Sequence, residues 1–228
     1  KKINNGITTK ISNTHINIRF GRLEQLAEAS KGSMVVLPAN EFFDDECIND
    51  KSSALGAYVN QKFTNQTELI KGIIAAGLNG RAHNEVEKEA GVCQKSFGVG
   101  VGVFVSNPLS SNQPILFVSV TTKRAGEGLR AEMSYIFEAV KEIGRVAVDH
   151  RIDSIYVPVL GSGHGGLRKE VALFGMLLAV CDTVTKPGGH HIKYFNIVVF
   201  QNNERDKPTI SKAVSKRLLR IATGMYSK

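Results

Sequence analysis

The chain has 228 residues, 42% hydrophobic and 22% charged, with a formal net charge of +8. That composition fits a globular chain with one large domain or two small ones and excludes a disordered one. No apolar run approaches the roughly 20 residues needed to span a bilayer. Three widely spaced cysteines (Cys47, Cys93, Cys181) exclude a disulfide framework or a CxxC metal pair and point to a reducing compartment.

The sequence begins at Lys1-Lys2 without Met, which predicts a domain whose preceding segment lies outside it. His15 to Phe20 alternates and predicts a strand. Gly21 breaks it, Arg22 to Ser30 reads as a short helix, and Gly32 ends that helix. Ser33 to Ala39 predicts a buried strand. Asn40 to Asp50 then carries five carboxylates and two adjacent phenylalanines. It fits neither the helical nor the strand period, and reads as an ordered functional loop rather than a linker. The alternative is that Phe42 and Phe43 plug the core under a solvated acidic surface.

A helix follows from Ser52, with Asp50 or Ser52 as its N-cap. A second runs from Thr64 to Gly77, with Leu69, Ile73, Ile74 and Leu78 on one face. Asn79 to Gln94 is polar and irregular. Its His83, Glu85, Glu87 and Glu89 match no metal-site spacing, so neither metal nor cofactor is expected. Ser96 to Val105 reads as a strand with glycine at alternate positions, against which something packs closely. Asn107-Pro108 follows where a dinucleotide fingerprint would start a helix, which rules that fingerprint out. Gln113 to Thr121 returns as the second arm of a hairpin.

Gly128 to Arg151 has the clearest helical period, through Leu129, Met133, Ile136, Val140 and Ile143. Ser154 to Leu160 is an apolar strand that runs into Gly161-Ser162-Gly163-His164-Gly165-Gly166-Leu167. A helix over Arg168 to Val184, a strand over His191 to Phe200 and a helix over Pro208 to Gly224 complete the chain, the last with Ile210, Val214, Leu218 and Ile221 facing inward. From Gln201 to Lys228 seven basic residues oppose two acids, a balance that suits solvent, nucleic acid or an anionic surface.

Strands alternating with helices predict one α/β domain over residues 1–228: a three-layer α/β/α sandwich around a central mixed sheet. Its core is expected over residues 14–202, with a basic C-terminal helix in 203–228. Ligands of such sheets sit beyond the carboxyl ends of the strands. Two loops lie at such ends, Asn40 to Ser53 and Gly161 to Leu167. The glycine-rich loop, followed by a helix start, offers bare N–H groups to a phosphate. Asn40 can donate to and accept from sugar hydroxyls. If the two strands are neighbours, the loops converge on one cleft for a phosphorylated nucleoside or sugar. His164 reads as a spacer whose backbone, not its ring, faces phosphate. Cys47 reads as a packing residue, and no sequence signal builds a catalytic triad.

The pairing of Val35-Val36-Leu37-Pro38-Ala39-Asn40 with Val157-Pro158-Val159-Leu160-Gly161-Ser162-Gly163-His164-Gly165-Gly166 resembles the macro domain, the ADP-ribose-binding module. Ser53-Ala54-Leu55-Gly56-Ala57 resembles its small-residue helix start, so Ser53 and Gly56 join the site. The resemblance implies that Asn40 contacts the distal ribose and that Gly161, Ser162, Gly163, His164, Gly165, Gly166 and Leu167 wrap a diphosphate. It places Phe200 and Asn202 beside adenine or its ribose. Where many macro domains have Gly-Asp after the first strand, this chain has Gly21-Arg22, so adenine recognition differs or is weaker. The usual glycine-rich loop after Asn40 is replaced by Glu41, Phe42, Phe43, Asp44, Asp45 and Glu46, which puts hydrolysis in doubt.

Leu37 to Asp45 resembles a narrower group, the macro domains of Thoeris antiphage effectors. That resemblance implies a non-catalytic sensor of an NAD-derived ADP-ribose-type signal, understood there as a histidine conjugate, made by a partner TIR enzyme. The acidic loop would then suit a cationic distal group. It also implies self-association on activation and a cytoplasmic domain tethered to the bacterial inner membrane, with no nucleic-acid partner. An ADP-ribosyl or ADP-ribose-ester hydrolase and a nucleic-acid-binding domain are the alternatives.

Overall fold

Runs of Ile, Val and Phe build the middle of a seven-stranded sheet. A computed structural model describes residues 6–28, 33–106, 108–110, 113–187 and 191–226. The strands are β1 (Gly6–Ile11), β2 (Thr14–Gly21), β3 (Met34–Asn40), β4 (Asn84–Glu89), β5 (Val92–Ser96), β6 (Gly102–Val105), β7 (Ile115–Thr121), β8 (Ser154–Pro158) and β9 (Tyr194–Phe200). The large sheet has the order β1-β2-β9-β8-β3-β7-β6, and β4 pairs with β5 apart from it. The five central strands, β2, β9, β8, β3 and β7, run parallel. The edge strands β1 and β6 pair antiparallel. Every residue of β7 is buried, as expected where helices cover both faces.

Helices α1 (Leu23–Glu28), α2 (Asp45–Asn49), α3 (Ala54–Lys62) and α4 (Thr67–Leu78) cover one face, packing Leu55, Val59, Ile70 and Ile74 on Leu37 and Phe117. Helices α5 (Met133–Asp149), α6 (Lys169–Thr185) and α7 (Lys212–Gly224) cover the other, packing Ile136, Val140, Leu173 and Leu219 on Val118, Val157 and Ile197. The three-layer sandwich with a mixed sheet is therefore the observed architecture. Among the described residues no helix is long and apolar enough to cross a membrane.

Several elements differ from expectation. The β1 strand pairs with β2 through a tight turn with Ser12 at φ 50°, and its polar sequence gave no strong alternation. Within and just beyond Asn79 to Gln94, expected to be irregular, Asn84 to Ser96 forms the β4–β5 hairpin. Its outward side chains are nearly all polar, so it lacks the apolar face that marks a strand in sequence. The strand expected from Ser96 starts at Gly102, because Ser119 Oγ binds the backbone at Gly98 and Val101 and holds a turn there. The close neighbour expected for that segment is α5, whose Glu138 and Glu142 sit against Gly100 and Gly102. The α1 helix ends at Glu28, and the expected end at Ser30 to Gly32 lies outside the described residues.

Two helix faces are corrected. Ile70, Ile74 and Leu78 form the buried face of α4, while Leu69 is 53% exposed. In α7, Ser215, Leu219, Ala222 and Thr223 face inward, and Val214 and Ile221 face outward. Ser215 and Ala222 are fully buried while Val214 and Ile221 are not, so the position around the helix, not side-chain hydrophobicity, sets the inward face there.

Candidate functional site

Parallel pairing of Met34 and Val35 with Ile155 and Tyr156 makes β3 and β8 neighbours. The two strand-to-helix loops therefore meet over one cleft of about 930 Å³, at the carboxyl ends of the parallel strands. Gly21, Ala39, Thr121, Pro158 and Phe200, one from each central strand, line it. That volume lies within the range of ligand pockets.

The glycine-rich loop forms the central wall. Gly161, Ser162, Gly163, His164 and Gly165 line the cleft. Gly161 sits at φ 72°, where a side chain would be strained. A Cβ on Gly165 would lie 2.7 Å from Ala131 Cβ and 2.8 Å from the Gly161 carbonyl oxygen, so the loop closes only around glycine. The loop is held by Gly166 N–H donating to the Gly163 carbonyl and Leu167 N–H donating to that of Gly161, each at 3.1 Å. Gly166 and Leu167 thus brace the loop from behind rather than line the cleft. The N–H groups of Ser162, Gly163, His164 and Gly165 have no hydrogen-bond partner among the described residues. The α6 helix starts directly afterwards without a side-chain cap, and its first residue, Lys169, also lines the cleft. Free amides, an uncapped helix start and an ammonium group together favour an anion.

Facing this loop, the α2–α3 turn contributes Asp50, Ser52 and Ser53. Ser53, not Asp50 or Ser52, caps α3, accepting from Gly56 N–H at 2.9 Å and donating to the Cys47 carbonyl at 3.1 Å. Gly56 lies behind the wall, where any Cβ would lie 2.1 Å from the Asp50 carbonyl oxygen. Asp50 accepts from the Ser52 hydroxyl at 2.6 Å and the Ser52 N–H at 2.9 Å. The Ser52 hydroxyl hydrogen bond is the chief cause that holds the Asp50 carboxyl below the usual carboxylate range, with the His164 ring adding to it against an upward push from burial. The His164 ring is more than a spacer: its Nε2 lies 3.0 Å from Asp50 Oδ2 and 3.5 Å from Ser52 Oγ.

The opposite end, beside β2 and β9, is more apolar. Phe200 is 51% exposed and lies near Leu23, Val198 and Ile210. Among these groups is Glu24, a residue only 4% exposed, whose Oε1 accepts from Arg22 Nε at 2.5 Å. Asn202 does not line the cleft; its Oδ1 accepts from Arg22 at 3.2 Å and fixes that guanidinium. Glu24 and Lys169 went unforeseen. The position of Lys169, directly after the glycine-rich loop, was a readable signal; nothing in the sequence marks Glu24.

The acidic loop is the main correction. Asn40, Glu41, Phe42, Phe43 and Asp44 do not line the cleft. A register shift between Ala39 and Asn40 turns the chain away from it. Asn40 is fully buried; its Oδ1 accepts from Phe42 N–H, and its Nδ2 donates to Asp44, each at 3.0 Å. Glu41 is buried and accepts from the Ser96 hydroxyl, Lys123 N–H and the Arg124 guanidinium. Asp44 caps α2, which Asp45 opens, and pairs with Lys88 at 2.7 Å. Phe42 sits under the Lys88 ammonium, and Phe43 packs edge-on against Phe97 at 6.2 Å, so both rings plug the core. Lys88, Ser96 and Phe97 belong to or adjoin the unforeseen β4–β5 hairpin, which is why the sequence did not reveal their role.

Of that loop, Glu46, Cys47, Asn49 and Asp50 reach the cleft. Burial raises the Glu46 carboxyl, but Lys88 and Lys123 outweigh it and hold it below the usual range. Burial pushes the Cys47 thiol up to about 12, so it is a packing group rather than a nucleophile. Among the described residues no cluster of three or more His, Cys, Asp or Glu could hold a metal ion.

A cleft at the carboxyl ends of the parallel strands, with a glycine-rich loop at its centre, is the ligand-site placement of an open α/β fold. More narrowly, the chain has the macrodomain fold, as comparison with solved structures shows. One similar structure is an Oceanobacillus iheyensis macrodomain with ADP, at TM-score 0.64 and 12% identity, covering 96% of this chain and 97% of that one. Another is Thermosipho africanus DarTG in complex with ADP-ribose, at TM-score 0.54 and 15% identity, covering 93% of this chain and 47% of that one. A third is a Trypanosoma brucei macrodomain in complex with ADP, at TM-score 0.52 and 12% identity, covering 90% and 68%. No family model matches the sequence, and no curated protein does.

Proposed function

We propose that this domain is a receptor for an ADP-ribose-type nucleotide. The observation that carries this reading is the set of unpartnered amides at Ser162 to Gly165, set against Lys169 at the uncapped start of α6. A diphosphate there accepts several charge-assisted hydrogen bonds at once. The exposed Phe200 ring gives a stacking surface for a base. Glu24 offers a carboxylate oxygen to a base amino group, in place of the acid absent after Gly21. The distal sugar would meet Ser53, Asp50 and Glu46. The ADP and ADP-ribose named for the similar structures fit the same order of groups.

The finer reading is that the ligand is an NAD-derived signal made by a TIR enzyme. Its support is the resemblance of Leu37 to Asp45 to Thoeris effectors. A cationic distal group would be read by Glu46 and Asp50 of the acidic loop, because Glu41 and Asp44 are already matched by Arg124 and Lys88 and lie outside the cleft. Calorimetry with ADP-ribose, ADP and a TIR-enzyme product mixture, followed by chromatography of the recovered ligand, tests both levels. Saturable binding with the ligand returned intact supports a receptor; a shortened ligand supports the hydrolase alternative. Absence of ADP-ribose binding up to about 1 mM would reject the proposal.

A further inference from the structure

The Asp50–His164 pair joins the two lips of the cleft. Asp50 belongs to the α2–α3 turn, and His164 sits at the centre of the glycine-rich loop. The first lip is rigid: the Asp50 carbonyl packs against Gly56, and its carboxylate is fixed by two bonds from Ser52. The second contains four glycines and no side-chain cap at its exit into α6. A 3.0 Å contact from His164 Nε2 to Asp50 Oδ2 is therefore the tie between the glycine-rich backbone and the fixed wall.

We propose that Asp50 positions His164, and that this pair is a clasp across the mouth of the cleft which holds the glycine-rich loop in its anion-accepting shape and sets how fast a nucleotide diphosphate enters and leaves. This deepens the receptor reading and rests on it for the ligand. With the clasp shut, the loop that carries the amides of Ser162 to Gly165 keeps one shape, which lowers the ordering cost of binding. The contact spans two loops that line the cleft, so a ligand that fills the space between them requires it to open. Asp50 and His164 are both partly exposed, with side-chain accessibilities of 35% and 49%, so opening exposes little buried surface.

The test has two arms. In the ligand-free protein, hydrogen exchange is followed at Ser53, Gly166 and Leu167, whose amides are bonded within the two lips. Asp50→Asn and His164→Gln should each speed exchange at Gly166 and Leu167 by about threefold or more, and the double variant should add little, as for two partners in one contact. Stopped-flow mixing with ADP-ribose should then show association and dissociation both faster by about threefold or more in either single variant, with the equilibrium constant moving less than the rates. Unchanged exchange overturns the clasp, whatever binds. Faster exchange with unchanged binding rates overturns its gating role. Faster exchange in a protein that binds no ADP-ribose supports the clasp and rejects the receptor reading. His164→Gln keeps a polar side chain at a half-exposed position, so its folding is not at issue.

Discussion

The two loops at the carboxyl ends of β3 and β8 look alike in sequence logic and are opposites in structure. Asn40 to Asp44 is rich in groups that could bind a ligand, yet its side chains are spent on one another and on Lys88, Ser96 and Arg124. Gly161 to Leu167 has few functional side chains, yet leaves a row of amides unpartnered in the cleft. What makes a loop a binding site is the hydrogen-bonding capacity it leaves unused, not the polarity of its residues. A buried polar group is normally satisfied internally, and the acidic loop obeys that rule, while the amides of Ser162 to Gly165 have no partner among the described residues.

Substitutions can break this contrast in order of expected effect. Lys88→Met strips the ammonium from a pair whose side chains are only about a tenth exposed. It should cost about 3 kcal/mol in urea unfolding, because Asp44 is left buried and charged. Affinity for ADP-ribose in the folded protein should change less than about tenfold, since Asp44 lies behind the wall and Glu46, which Lys88 also holds, keeps Lys123 as a partner. A large loss of affinity with intact stability would return the acidic loop to the site.

Gly165→Val should do the reverse. Its Cβ collides with Ala131 and the Gly161 carbonyl, so the amides move and binding weakens by about 2 kcal/mol or more, read by calorimetry. Gly72→Ala is the matched control: a Cβ there meets nothing within 4 Å, the residue lies on α4 outside the cleft, and binding should stay near the parent value. Phe200→Ala should weaken binding by about 1 kcal/mol through lost stacking, with little change in stability at a half-exposed site.

The smallest effect is a pH dependence. The carboxyl of Asp50 is held low chiefly by Ser52, so its contribution to stability is present above the ordinary carboxylate range and is lost as pH falls through the lowered folded value. For a pair this exposed the amount is below about 1 kcal/mol. Urea unfolding of Asp50→Asn should show a deficit near neutral pH that closes in acid. A deficit that persists in acid would mean that the carboxylate charge is not the source.

Much of this was legible in the sequence. The β-branched runs of β3, β7 and β8 announce buried strands because a strand covered on both faces has no polar side to alternate. The glycine-rich loop is legible because no other side chain permits the backbone of Gly161 and Gly165. The β4–β5 hairpin was not, because it is a polar ribbon whose one inward ammonium, Lys88, finds its partners 44 residues upstream. The inward face of α7 was misread because position around the helix, not side-chain hydrophobicity, buries Ser215 and Ala222 rather than Val214 and Ile221.

By itself, the sequence determined the main buried strands and long helices, the three-layer architecture and the glycine-rich loop that follows β8. These follow from local periodicity and from backbone conformations that only glycine permits. Tertiary structure alone decided which other groups at the strand ends remain available: it brought Glu24 to the cleft, withdrew Asn40, Glu41 and Asp44 from it, and set His164 against Asp50. Availability depends on partners supplied from distant segments, and a charge or amide shows no sign, in its own stretch of chain, of whether a partner will arrive.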